Sequence, residues 1–252
     1  MSAQAMLRAW VAGQSAASLL MCPFAGSSGA AFRSWQEQLD DRLGITLAVY
    51  PGRDHRMQES CAPTIAWLAE ALAAALAALP SARLQQLLLA GHSMGAQVAF
   101  ETCLLLERRG TPPQALVLSG CHAPHLRARR RLSGLADAAF VAQLQQIGGC
   151  SAALLADPTL MTPFLPMLRA DFKATESYHR ALVPGHERVL TPTLLICGSA
   201  DDEVLPHEVN AWQPWLALPQ SRAPVQMDGD HFYVIDQPRT FISHILRHNI
   251  VE

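Results

Sequence analysis

Leu87-Leu88-Leu89-Ala90-Gly91-His92-Ser93-Met94-Gly95-Ala96 is the stretch that decides how this chain folds. Four apolar residues in a row suit a strand buried on both faces. From Met94 the chain continues at helix length to Arg108, Arg109 and Gly110, which place cations at the negative end of a helix dipole and a glycine at its stop. Between the two lies Gly-x-Ser-x-Gly. As a bare pattern it is unspecific, but between a strand and a helix it reads as a sharp turn on which Ser93 is lifted above a sheet. The two glycines let strand and helix cross closely, and the serine hydroxyl then sits beside a helix N-terminus.

Working outward, short apolar runs alternate with helix-length segments. Strands are expected over 18–21, 46–49, 87–90, 115–118, 193–197 and 224–227, and helices over 64–79 and 94–108. That alternation predicts an α/β fold, a mostly parallel central sheet flanked by helices, and with the serine turn it predicts the α/β-hydrolase arrangement. The alternation fails between about 126 and 184, where only helical segments punctuated by Gly148-Gly149, Pro158, Pro163 and Pro166 appear. We expect one domain over 1–252, with 126–184 as a helical lid above the carboxyl ends of the strands, where such folds bind ligands.

Composition narrows the function classes. Half of the 252 residues are hydrophobic and the formal net charge is −2, so nothing suggests nucleic-acid binding. Cys22, Cys61, Cys103, Cys121, Cys150 and Cys197 show no paired spacing and read as free thiols in a reducing cytosol. The apolar stretch after Arg8 is broken by Gly13, Gln14, Ser15 and Ser18, and the run over 66–79 is short and carries Glu70. The expectation is a cytoplasmic protein with no membrane segment, and no assembly motif argues against a monomer.

A serine hydroxyl needs a base beside it. His231, in a loop after the last expected strand, fits the order serine, acid, histidine. The acid should follow a strand between them, and Asp201 after the strand over 193–197 is the choice, with Asp202 its competitor. Asp228 and Asp230 lie too near His231 in sequence to reach its far nitrogen, and the earlier strand ends in Ser119-Gly120-Cys121 with no acid. An oxyanion hole needs two backbone donors. Met94 supplies one, and Ala25, in Pro23-Phe24-Ala25-Gly26-Ser27-Ser28-Gly29, supplies the other, with Phe24 the alternative. His92 points away from the nucleophile and reads as structural. His122 with His125, and His244 with His248, lack a completed coordination shell, so no metal is expected. Arg127, Arg129, Arg130 and Arg131 read as a solvated face or as a surface for an acidic partner.

With these residues placed, the sequence resembles the type II thioesterases that accompany nonribosomal peptide and polyketide synthases. The likeness runs through Cys22-Pro23-Phe24-Ala25-Gly26-Ser27-Ser28, Tyr50-Pro51-Gly52-Arg53, Gly91-His92-Ser93-Met94-Gly95-Ala96, Leu165-Pro166-Met167-Leu168-Arg169-Ala170-Asp171-Phe172 and Gly229-Asp230-His231-Phe232. Ser27 and Asp230 depart from the family's usual glycines. The resemblance implies Ser93, Asp201 and His231 as nucleophile, acid and base. It also implies hydrolysis of acyl or aminoacyl thioesters carried on the phosphopantetheine arm of a carrier protein, with no cofactor of the enzyme's own. Acyl or peptidyl carrier domains are the implied partners, and the arginine run is expected to help dock them.

Overall fold

The computed structural model describes residues 3–14, 17–39, 43–149, 154, 157–218 and 223–247. Seven strands form one sheet: β1 (Leu7–Val11), β2 (Ser18–Cys22), β3 (Gly44–Ala48), β4 (Leu87–His92), β5 (Ala115–Ser119), β6 (Thr193–Gly198) and β7 (Val225–Met227). Their spatial order is β1-β3-β2-β4-β5-β6-β7. β1 pairs antiparallel with β3, and the other pairings are parallel. The six expected strands are present, with ends moved by one or two residues. β1 was not foreseen.

Among the described residues, the helices of six or more residues are α1 (Arg33–Gln38), α2 (Ile65–Ala77), α3 (Met94–Arg108), α4 (Asp137–Ile147), α5 (Leu165–Ser177) and α6 (Pro238–Arg247). The central strands β4, β5 and β6 are buried along their whole length, because helices cover both faces. Alternate side chains serve the two layers. Leu87, Leu89, Leu116, Leu118 and Leu195 pack with Leu68, Leu72, Phe100 and Leu104 of α2 and α3. Leu88, Ala90, Val117, Leu194 and Ile196 pack with Trp35 of α1 and with Phe241 and Ile245 of α6.

Two helix ends have a clear local cause. Thr64 caps α2, its hydroxyl accepting the Trp67 N–H at 3.1 Å. α3 closes where Gly110 turns to φ +71°, with Gly110 N–H donating to Glu107 O (2.9 Å) and Thr111 N–H to Leu106 O (3.0 Å). This six-to-one and five-to-two pair satisfies the last carbonyls of the helix. Cys22, Cys61, Cys103, Cys121 and Cys197 are free thiols, and burial pushes the Cys22 thiol up to about 12. Cys150 lies outside the described residues.

Between β5 and β6 the described residues contain helices and no named strand. This segment has its own small core of Leu132, Phe140, Leu144, Met161, Met167 and Leu168. Phe140, fully buried, meets Phe172 edge-on at 5.6 Å and carries the Arg169 guanidinium 4.5 Å over its face. Burying a ring of this size contributes about 2–3 kcal/mol. The Glu176 carboxylate closes the other end, accepting from the Leu132 and Ser133 N–H groups at 2.6 and 3.0 Å and from the Ser133 hydroxyl at 2.5 Å.

Candidate active site

The ends of β2, β4, β6 and β7 deliver four loops to one side of the sheet. At the end of β4 the turn is as tight as Gly-x-Ser-x-Gly implied. A Cβ on Gly91 would lie 2.1 Å from the Gly95 carbonyl oxygen, and one on Gly95 would lie 1.9 Å from that of Cys22. No side chain fits at either position, so the two glycines are what allow α3 to start directly over the sheet. Ser93 sits between them at φ +54°, ψ −123°, as the N-cap of α3, its own N–H donating to Ser119 O at 2.9 Å. A non-glycine residue held there is strained, a cost that recurs at functional turns.

Asp201 and His231 meet below the same loops. His231 Nδ1 donates to Asp201 Oδ2 at 2.8 Å, and Asp201 Oδ1 accepts the N–H groups of Glu203 and Val204 at 2.9 and 3.0 Å. Burial alone would raise the Asp201 carboxyl. The hydrogen bond from His231, the charge of that ring and the Val204 N–H outweigh it and hold the group below the usual carboxylate value. Asp202, the competitor, is exposed. Asp230 caps the next turn, accepting the Phe232 N–H at 2.8 Å.

His92 is wholly buried under His231. Its Nε2 lies 2.7 Å from the His231 carbonyl oxygen and its Nδ1 3.0 Å from Ser119 Oγ. A carbonyl can only accept, so Nε2 carries the hydrogen and Nδ1 accepts from the Ser119 hydroxyl. Ser119 Oγ in turn lies 2.6 Å from the Tyr233 hydroxyl, which then donates to it. Burial, then the neighbouring His231, lowers the His92 pKa to about 3, so the ring is neutral. The directed chain Tyr233, Ser119, His92 ends on the main chain of His231. The sequence marked His92 as structural but carried no sign of this chain, whose members lie 27 and 114 residues apart.

The loop after β2 turns over residues 24–27, closed by Ser27 N–H on Phe24 O at 3.2 Å with Gly26 at φ +75°. This is a turn that needs a glycine in its third position. Among the described residues neither the Ala25 nor the Met94 N–H has an intramolecular acceptor. Phe24 instead contributes its carbonyl to the turn and its ring to an edge-to-face contact with Phe232 at 5.3 Å.

Ser93, Met94, Ala25 and His231 line one cavity of about 620 Å³. The helical segment supplies Leu132, Leu144, Met167, Leu168 and Phe172 to its wall, and Gln97, Thr175 and His122 make part of it polar. Phe164 lines it too, whereas Leu160 is 53% exposed and does not. His125 Nδ1 accepts the Trp215 indole N–H at 3.0 Å. No cluster of three metal-ligating side chains occurs among the described residues, and His248 lies outside them. Arg129 and Arg130 are paired with Glu208 (3.2 Å) and Glu203 (3.0 Å), while Arg127 and Arg131 stand exposed. Among the described residues no helix is long and apolar enough to cross a membrane.

A thioesterase domain model matches residues 17–248. The chain is 38% identical over 227 residues to "Probable anguibactin biosynthesis thioesterase AngT" of Vibrio anguillarum, covering 90% of this chain and 89% of that one. Among solved structures, it is similar to YbtT, a type II thioesterase from the yersiniabactin NRPS/PKS pathway. The identity is 48% and the TM-score 0.90, over 98% of this chain and all of that one. It is also similar to RedJ, a thioesterase of the prodiginine pathway in Streptomyces coelicolor, with 34% identity and TM-score 0.78 over 92% and 90% of the two chains.

Proposed function

The chain belongs to the thioesterase family, and from that premise we propose how its residues divide the work. It is a type II thioesterase, hydrolysing acyl or aminoacyl thioesters in the manner that clears misprimed or stalled synthases. Ser93 Oγ attacks the thioester carbonyl while Nε2 of His231 takes its proton. Asp201 holds the ring in the tautomer that leaves Nε2 free and stabilises the imidazolium that forms. The N–H groups of Met94 and Ala25 receive the developing oxyanion. The thiol leaves with the proton from His231, water activated by the same nitrogen attacks the acyl-serine, and the acid is released.

The observation that carries this reading is the 2.8 Å His231–Asp201 hydrogen bond on a cavity that also exposes Ser93. The lining is polar in part and a few hundred cubic ångströms in size, which suits a short acyl group with the end of a pantetheine arm. In our reading the enzyme works without a cofactor of its own, since phosphopantetheine arrives with the substrate. Acyl or peptidyl carrier domains of a nonribosomal peptide or polyketide synthase bring it. The chain acts as a cytoplasmic monomer, a single unit over 1–252 with 126–184 as its lid.

The test is deacylation of an acetyl-loaded carrier protein followed by mass spectrometry, wild type beside Ser93→Ala. Rapid release by wild type, slowed at least about 10³-fold in the variant, is expected. A variant that retains the rate removes Ser93 from the mechanism. Faster cleavage of simple oxygen esters than of pantetheine thioesters would make the protein a carboxylesterase instead.

A further inference from the structure

Away from the reacting groups, two opposite charges are buried together. The side chains of Arg53 and Asp171 are 4% and 2% exposed. They meet end-on as a bidentate pair, Arg53 Nη1 to Asp171 Oδ2 and Nη2 to Oδ1, both at 2.7 Å. Such a pair gains little over apolar side chains of the same volume, because both ions are taken out of water. What it supplies that leucine and methionine cannot is directed hydrogen bonding, and beyond a long contact from Arg53 Nη2 to Pro51 O (3.5 Å) that bonding goes to the turn after β2. Asp171 Oδ2 also accepts the Gly26 N–H at 2.8 Å, and Arg53 Nη1 also donates to Ser27 O at 3.1 Å.

Gly26 and Ser27 are the residues that follow Ala25. Their peptide groups are thus gripped on the donor side by a carboxylate and on the acceptor side by a guanidinium. Asp54, next to Arg53, adds a third hold further along, accepting the Gly29 N–H at 2.9 Å. Asp171 belongs to α5, in the helical segment over the cavity. The same helix also closes on the turn sterically: a Cβ on Gly26 would fall 2.3 Å from Leu168 Cδ2.

We propose that Arg53 and Asp171 are positioning residues that hold the Ala25 N–H in oxyanion geometry, and that they do so only while α5 is seated on the turn. The helical segment is then a condition of the chemistry as well as a cover for the cavity. This rests on Ala25 being an oxyanion donor.

The experiment compares wild type, Asp171→Asn, Asp171→Leu and the apolar pair Arg53→Met with Asp171→Leu. It reads melting temperature, kcat and KM on an acetyl-pantetheine thioester, and affinity for a trifluoromethyl ketone that forms a tetrahedral adduct with Ser93. The apolar pair is expected to fold with a melting temperature near wild type. Its kcat should fall on the order of 10²-fold, as when one oxyanion donor is lost, with KM changed little and ketone affinity falling in step. Asp171→Asn keeps an acceptor for the Gly26 N–H and should recover much of the kcat that Asp171→Leu loses. An apolar pair with wild-type kcat and ketone affinity overturns the proposal. If the pair does not fold, equal kcat loss in the asparagine and leucine variants overturns it. A wild type that binds the ketone no better than the matching alcohol removes the oxyanion reading itself, and this proposal with it.

Discussion

Replacing His92 by glutamine removes a buried ring that cannot be protonated without breaking its place in the site. Its pKa is about 3 in the folded protein against 6.5 in an open chain. Between those values the unfolded chain binds one more proton than the folded one, so stability rises with pH across that window. It is complete above about pH 6.5 and is lost as the pH falls toward 3. The slope from this one ring reaches about 1.4 kcal/mol per pH unit, and from pH 7 to pH 5 it removes about 2 kcal/mol. The assay is urea unfolding at several pH values, followed by the fluorescence of the buried Trp35, Trp212 and Trp215. Wild type should lose about 2 kcal/mol more than His92→Gln between pH 7 and pH 5, whatever the variant costs at neutral pH. Parallel curves for the two proteins would refute the neutral, carbonyl-donating ring.

Asp201→Asn should leave the fold intact and lower kcat by about 10³–10⁴-fold, because the amide favours the wrong His231 tautomer. Asp202→Asn should stay within about twofold, its side chain being exposed, and the reverse pattern in steady-state kinetics would exchange the two roles. Arg127→Ala with Arg131→Ala should raise KM for a carrier-bound acyl group about 3–10-fold while sparing a free pantetheine thioester. Equal loss on both substrates sinks the docking role. Arg129 and Arg130 are a poorer choice for that test, since their ion pairs to Glu208 and Glu203 would be broken as well.

The parts legible in the sequence are those whose cause is local. The strand over 87–90, the glycines at 91 and 95 and the stop at Gly110 each depend on a few neighbouring residues, and each is where it was expected. β1 escaped because Leu7–Val11 is an edge strand, bonded only to β3 and partly exposed along its length, so its short apolar stretch after Arg8 lacks the burial on both faces that marks the central strands. In the proposed site, Ser93, Asp201 and His231 could be singled out because each follows a strand in a fixed order. Arg53 and Asp171 were both visible within motifs, but 118 residues separate them and neither motif says what it touches. The hydrogen-bonded chain beneath His231 was hidden for the same reason: Tyr233 and Ser119 have no local pattern that names them as partners.

Ser93 follows the fourth strand of the chain, Asp201 the sixth and His231 the seventh. Chains emerge from the ribosome N-terminus first, and structure accumulates in that order. If the division of work proposed above holds, a nascent chain that has completed β4 carries the nucleophile long before it has a base to activate it. On that reading it is chemically idle through the synthesis of more than a hundred further residues. On the same reading activity waits for β7 at the sheet edge and for the loop after it, which sets His231 against Asp201.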